Sequence, residues 1–286
     1  MTDKIVNYKG QGEMFFLEPL EKIIRLSVQS AYVKNVEHPV SLLILANAEH
    51  GKTQALQKNV NQLIKSKNIF YSNNVTAKYI EKNLMSKIKS GEVRHIVIPD
   101  LLNAIERGKN TRKLFVNFIK SLIEEGIFHV SDSFGEFQSD TPVRCGMITA
   151  ITKANMKESW REWKNIGFVS RFIPFSYSYP MPKMMDLIDS VFFKKVKTIN
   201  VPNILKDIVI HDTEILDDKT LDYSNLKTLA LIFGKQTEGI GIRMAKNLMA
   251  LVYANTMLDH RKKVIQKDIN EVVRLSQWMN YDYKTI

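Results

Sequence analysis

Apolar residues fall along this chain in two rhythms, and the change from one to the other marks its elements. In PLEKIIRLSVQSAYVKNV, residues 19–36, they recur at Leu20, Ile23, Ile24, Leu26, Val28 and Ala31, the spacing of an amphipathic helix. After Pro39 an unbroken apolar run begins, and residues 40–46 are expected to form a buried strand. Further strands are expected at 94–100, 145–152 and 172–179, and 69–74 is a short β-rich run. Between them, helical spacing predicts helices at about 53–66, 75–90, 111–125 and around Trp160 and Trp163, with Gly91 and Gly126 as stops. Residues 127–144 alternate and carry Gly and Pro, which suits a hairpin or an irregular loop.

The texture changes at Pro180, Met181 and Pro182. Residues 183–220 read as linker and short elements, followed by helices at about 222–234, 242–260 and 267–280. Buried strands alternating with helices predict an α/β fold around a parallel sheet. The expected division is an α/β domain over 1–180, then a linker and a helical domain over 181–286.

Composition narrows the class. Of 286 residues, 44% are hydrophobic, enough for a sizeable core, and the apolar runs are too short and too charged for a membrane span. No membrane partner is therefore expected. The lone Cys145 has no internal disulfide partner, which fits a reducing compartment, and a cytoplasmic protein is expected. The six His lie scattered, without metal-ligand spacing, so a metal held by protein ligands alone is not expected. The net charge of +11 suits an anionic partner such as nucleic acid; the plain alternative is a generally Lys-rich composition.

The stretch LLILANAEHGKTQAL, residues 42–56, carries the sharpest chemistry. An apolar strand, a short loop and GKT at the mouth of a helix form the phosphate-loop pattern: backbone N–H groups wrap phosphates, Lys reaches the terminal ones, and the Thr hydroxyl ligates Mg²⁺. Ala46 stands where the pattern has its first Gly. The candidate nucleotide contacts are Ala46, Asn47, Ala48, Glu49, His50, Gly51, Lys52, Thr53 and Gln54, and the cofactors implied are ATP and Mg²⁺. RHIVIPD supplies a buried strand ending in Asp100, placed to hold the ion with Thr53. Leu101 follows, where many such ATPases have the Glu that orients water, so hydrolysis is expected to be slow unless Glu49 or Glu106 substitutes.

Beyond that point the chain resembles a family. The segment NIGFVSRFIPFSY, 165–177, looks like the SRF segment of AAA+ ATPases of the minichromosome-maintenance and MoxR-like branch, and residues 241–273 resemble that branch's helical lid. The resemblance implies a P-loop core with a C-terminal lid. It makes Arg171 an arginine finger for a neighbour's γ-phosphate, Arg243 a sensor-2 residue, and Thr152 the sensor-1 residue, with Thr149 second. It further implies a homo-oligomer, ring or filament, whose ATPase activity remodels or translocates DNA, as a small helicase, a helicase loader or a replication-associated factor with a helicase partner. The alternatives are a slowly hydrolysing nucleotide-gated adaptor that binds DNA and a MoxR-like chaperone that remodels proteins.

Each motif has a plainer counterpart. Arg171 would also suit a surface ion pair. Arg243 at a helix start opposes the helix dipole, which favours a role for it. Trp160 and Trp163, three apart, suit packing, and Met181, Met184 and Met185 suit core or linker filler. For DNA, the candidates are the 127–144 hairpin with Phe134 and Phe137, the stretch with Lys153, Lys157, Arg161 and Lys164, and the stretch with Lys194, Lys195 and Lys197. A solvated face explains the two basic stretches equally well.

Overall fold

A computed structural model describes residues 18–53, 55–56, 68–106, 108–132, 135–192 and 208–281. Five strands form one parallel sheet: β1 (Ser41–Ala46), β2 (Ile69–Tyr71), β3 (His95–Ile98), β6 (Gly146–Thr152) and β7 (Phe172–Ser176), in the order β2-β3-β6-β1-β7. Every residue of β1 is buried, as a central parallel strand covered on both faces requires. Its register is fixed on both sides, with Leu42 opposite Ile148 and Ile173. Two further strands, β4 (Ile127–Asp132) and β5 (Gly135–Val143), form an antiparallel hairpin where a hairpin or an irregular loop is expected over 127–144.

Helices flank the sheet. α1 (Glu18–Ser30) buries Leu20, Ile23, Ile24 and Leu26 against β1 and β6. It stops earlier than the periodicity predicts, because the Lys34 N–H leaves the helix and donates to Thr213 O at 2.9 Å. The 75–90 segment divides at the buried Leu84 into α2 (Ala77–Asn83) and α3 (Met85–Lys89). A five-residue helix, α4 (Leu101–Ile105), follows β3 and has no counterpart in the sequence pattern. α5 (Lys109–Lys120) runs into a single π-turn, Ser121–Glu125, which Gly126 closes by donating its N–H to Ser121 O at 2.8 Å. α6 (Lys153–Asn165) buries Trp163 completely and rests half-buried Trp160 on Tyr281 at 5.1 Å, so both indoles pack.

The expected linker is in part a helix: α7 (Met181–Phe192) begins with Pro182 in its first turn, where a missing N–H costs nothing. Met181 and Met185 are exposed rather than core filler, and Met184 is partly buried. Three helices complete the chain, α8 (Ser224–Gln236), α9 (Ile242–Leu258) and α10 (Gln266–Leu275). α9 packs on α1, on α8 and α10, and on the 3₁₀ turn Val169–Arg171 that leads into β7. Among the described residues no helix is long and apolar enough to cross a membrane.

Candidate phosphate-binding site

β1 ends at Ala46, and the chain turns through Asn47, Ala48, Glu49 and His50 before Gly51, Lys52 and Thr53 lead into a helix. Asn47, Ala48 and Glu49 are exposed. Two residues of the turn adopt left-handed backbone, Glu49 (φ 60°) and Gly51 (φ 72°). Glycine does so without steric cost, whereas a glutamate there is strained, and such strain clusters at ligand clamps. The first N–H groups of a helix have no partner within it, so the entry at Lys52 presents donors to an anion. Lys52 is half-buried and curls back over its own loop, its Nζ donating to Asn47 O at 2.7 Å and Ala46 O at 3.2 Å. Burial lowers its pKa, and the charge of Asp100 nearby works in the opposite direction. Gln54 lies outside the described residues.

The loop is braced from the side. The Tyr177 hydroxyl, just past β7, donates to His50 O at 2.8 Å, and the His50 ring stacks on Tyr179 with centroids 5.3 Å apart. His50 Nδ1 also lies 2.9 Å from Ala48 O. Sequence reasoning does not single out these tyrosines; their only signal is an aromatic alternation, FSYSY, at a strand end.

Parallel strands bring their carboxyl ends to one side, and ligands of open α/β sheets bind there. Ala46 sits opposite Thr152, and Ile98 opposite Thr149. Lys52, Thr53, Asp100 and Thr152 therefore share that edge. Asp100 caps α4 by accepting the Leu102 N–H at 3.1 Å, and Thr152 caps α6 by accepting the Asn155 N–H at 3.2 Å. Thr149 is fully buried and donates to Ile98 O at 2.7 Å, a bond internal to the sheet. Leu101 is completely buried, and the two carboxylates that could stand in for the missing Glu, Glu49 and Glu106, are exposed.

Arg171 and Arg243 lie elsewhere. Arg171 immediately precedes β7, whose first residue pairs with Ser41 at the start of β1. The length of β1 separates it from the loop, roughly 20 Å at ~3.3 Å per residue. Its side chain is 4% exposed and forms ion pairs with Glu124, Nε to Oε2 at 2.7 Å, and with Glu125, while also donating to Gly167 O. Arg243, second residue of α9, reaches the same carboxylate, Nε to Glu124 Oε1 at 2.5 Å. A cleft of about 330 Å³ opens beside Arg243 and Glu124, lined also by Ser170, Gly241, Lys246 and Tyr281 among others. Glu124 and Glu125 carry no local sequence signal of this role.

No protein-family model matches the chain, and no curated protein matches it.

Of the expected basic face on α6, Lys153 is buried and Lys164 is paired with Glu238 at 2.5 Å, while Lys157 and Arg161 are exposed. On the hairpin, Phe137 lies partly buried beneath Lys89 Nζ at 6.0 Å. Phe134, Lys194, Lys195 and Lys197 lie outside the described residues.

Proposed function

We propose that this chain is an AAA+-type P-loop ATPase that binds Mg-ATP at the 46–53 loop and acts as a subunit of an oligomer. The observation that carries the reading is the convergence of Lys52, Thr53, Asp100 and Thr152 at the carboxyl edge of β1, β3 and β6, around a loop with two left-handed residues. The residues present suit the ligand. Loop N–H groups and Lys52 would hold the phosphates, and Thr53 and Asp100 would hold Mg²⁺, which supplies charge neutralisation at the phosphate oxygens. The C-terminal helices α8–α10 take the part of the lid in this reading. Arg171 and Arg243, at the opposite end of the sheet, would then serve the nucleotide of a neighbouring subunit.

Turnover is proposed to be slow. Leu101, fully buried, occupies the position of the usual water-orienting Glu, and Arg171 is held by carboxylates of its own chain. Both observations favour the second reading, a nucleotide-gated adaptor, over a fast motor. DNA is the proposed partner on the strength of the +11 net charge, with the exposed Lys157 and Arg161 as contacts. The test is binding of labelled ATP. Lys52→Ala should lose at least about tenfold in affinity, the loss of one charge-assisted contact, while keeping its circular dichroism spectrum. Undiminished binding by that variant would overturn the reading, and steady-state ATPase with and without single-stranded and duplex DNA decides the partner.

A further inference from the structure

Glu124 and Glu125 close a π-turn at the carboxyl end of a helix, where the helix dipole opposes acidic side chains. Turns of this kind inside helices occur frequently at functional sites. Arg243, second residue of a 17-residue helix, opposes its own dipole at the other sign. Each unfavourable placement is offset by the other. Glu124 accepts the Arg243 Nε–H on Oε1 at 2.5 Å, and its Oε2 lies 2.7 Å from Arg171 Nε, an ion pair without hydrogen-bond alignment. The two arginines come from separate parts of the chain, one from the turn before β7 and one from α9. Their exposure differs, 4% for the Arg171 side chain and 46% for Arg243, with Glu124 between at 18%.

We infer that Glu124 is a positioning residue that keeps Arg171 and Arg243 in reserve, and that the terminal phosphate of a nucleotide carried by a second copy of this chain takes its place. The inference rests on the nucleotide reading of the 46–53 loop. A carboxylate offers each guanidinium a share of one negative charge. A terminal phosphate brings nearly two charges and three acceptor oxygens, so it displaces Glu124 once it is presented in the adjoining cleft. When that phosphate leaves, Glu124 recaptures both arginines and the subunits part. Only ion pairs are exchanged. Nucleotide state and subunit association are thereby coupled through one side chain, because the ligand interacts differently with the two arrangements.

The test is Glu124→Gln, which keeps shape and removes charge. Arg171 retains Glu125 and the Gly167 carbonyl, so the variant should melt cooperatively and bind ATP with wild-type affinity as a dilute subunit. Followed by sedimentation in Mg-ATP, it should assemble at a protein concentration about three- to tenfold below that of wild type, as expected for releasing the half-exposed Arg243 pair, which competes with assembly. In ADP it should stay assembled where wild type dissociates. Adding Arg243→Ala should cancel the gain. If wild type binds ATP through Lys52 and Glu124→Gln assembles no more readily, the inference fails and the nucleotide reading stands. A lower melting temperature without any nucleotide-dependent gain also overturns it, because Glu124 would then be purely structural. If wild type shows no Lys52-dependent ATP binding, both fail. Should the Gln variant not fold, Glu124→Asp, with its carboxylate withdrawn by one methylene, should shift assembly in the same direction by a smaller factor, and an unchanged midpoint there overturns the inference.

Discussion

At the residue scale, buried polar groups mark what the fold tolerates and what it uses. His95 opens β3 fully buried, its Nε2 lying 3.3 Å from Val40 O, and it packs so closely on Gly146 that a Cβ there would meet the ring at 2.3 Å. Burial chiefly, with the nearby Arg94 charge adding to it, pushes its pKa down to about 4. The unfolded chain binds this proton near the ordinary His value of ~6.5. Its neutral form therefore contributes full stability above that pH, and the contribution is lost as pH falls from 6.5 towards 4. The loss should approach about 3 kcal/mol over that window, at ~1.4 kcal/mol per unit. Denaturant titrations across the window measure the total. His95 ring resonances that still report a neutral imidazole at pH 5 would assign the share, and a ring that titrates near 6.5 would remove it. The same scale shows what the sequence hides. Lys52 and Thr53 stand out as candidates because the GKT pattern has fixed local spacing, and Asp100 because it ends an apolar strand. Glu124 is not, because its partners lie 47 and 119 positions away along the chain, a separation no local pattern records.

At the element scale, the strands are legible and the joints are not. Apolar runs locate the buried strands of the parallel sheet, since a strand buried on both faces has no polar alternation to confuse, and the partly exposed edge strand β2 is located by its β-rich residues. The end of α1 escapes the pattern because the Lys34 N–H is taken by Thr213, distant in sequence. α7 resembles linker in the sequence because Pro182 looks like a breaker, although a helix accepts Pro in its first turn. The segment that ends β7 reads only as strand, yet just past it Tyr177 braces the 46–53 loop. Tyr177→Phe removes the bond to His50 O and leaves the ring in place. Nucleotide affinity should fall about three- to tenfold, the value of one hydrogen bond, with little change in melting temperature. A fluorescent-nucleotide titration reads this directly, and equal affinities would show that the loop holds its shape without the tyrosine.

At the scale of the whole molecule, the two candidate clusters sit at opposite ends of one sheet, the 46–53 loop at the carboxyl end and the arginines near the amino end. On the proposed nucleotide reading, a subunit so built needs a neighbour's arginines to complete its site. Mixing Lys52→Ala with Arg243→Ala tests this. The first should lack nucleotide and still offer its arginines; the second should bind nucleotide and lack a full pair. Arg243 is the better choice for removal because it is half-exposed, whereas Arg171 is buried and its removal would also leave a space beside Glu124 and Glu125. The mixture should recover ATPase activity well above the mean of the two, increasing with protein concentration. Additive rates at every concentration would mean that each site works alone.

The strand order also constrains how the protein can be made. β1 sits between β6 and β7, and its first residue, Ser41, accepts a bond from the Met147 N–H, 106 residues further on. During synthesis the ribosome therefore releases SLLILA, wholly apolar apart from its serine, long before either flanking strand exists. Such contacts of high sequence separation fold slowly, and an unpaired β-prone run invites aggregation in the interval. Fragments that end before Phe172 leave the central strand without one of its neighbours, so separate production of the amino-terminal half should yield insoluble chains, and expression of the full chain should improve at low temperature or with holdase chaperones.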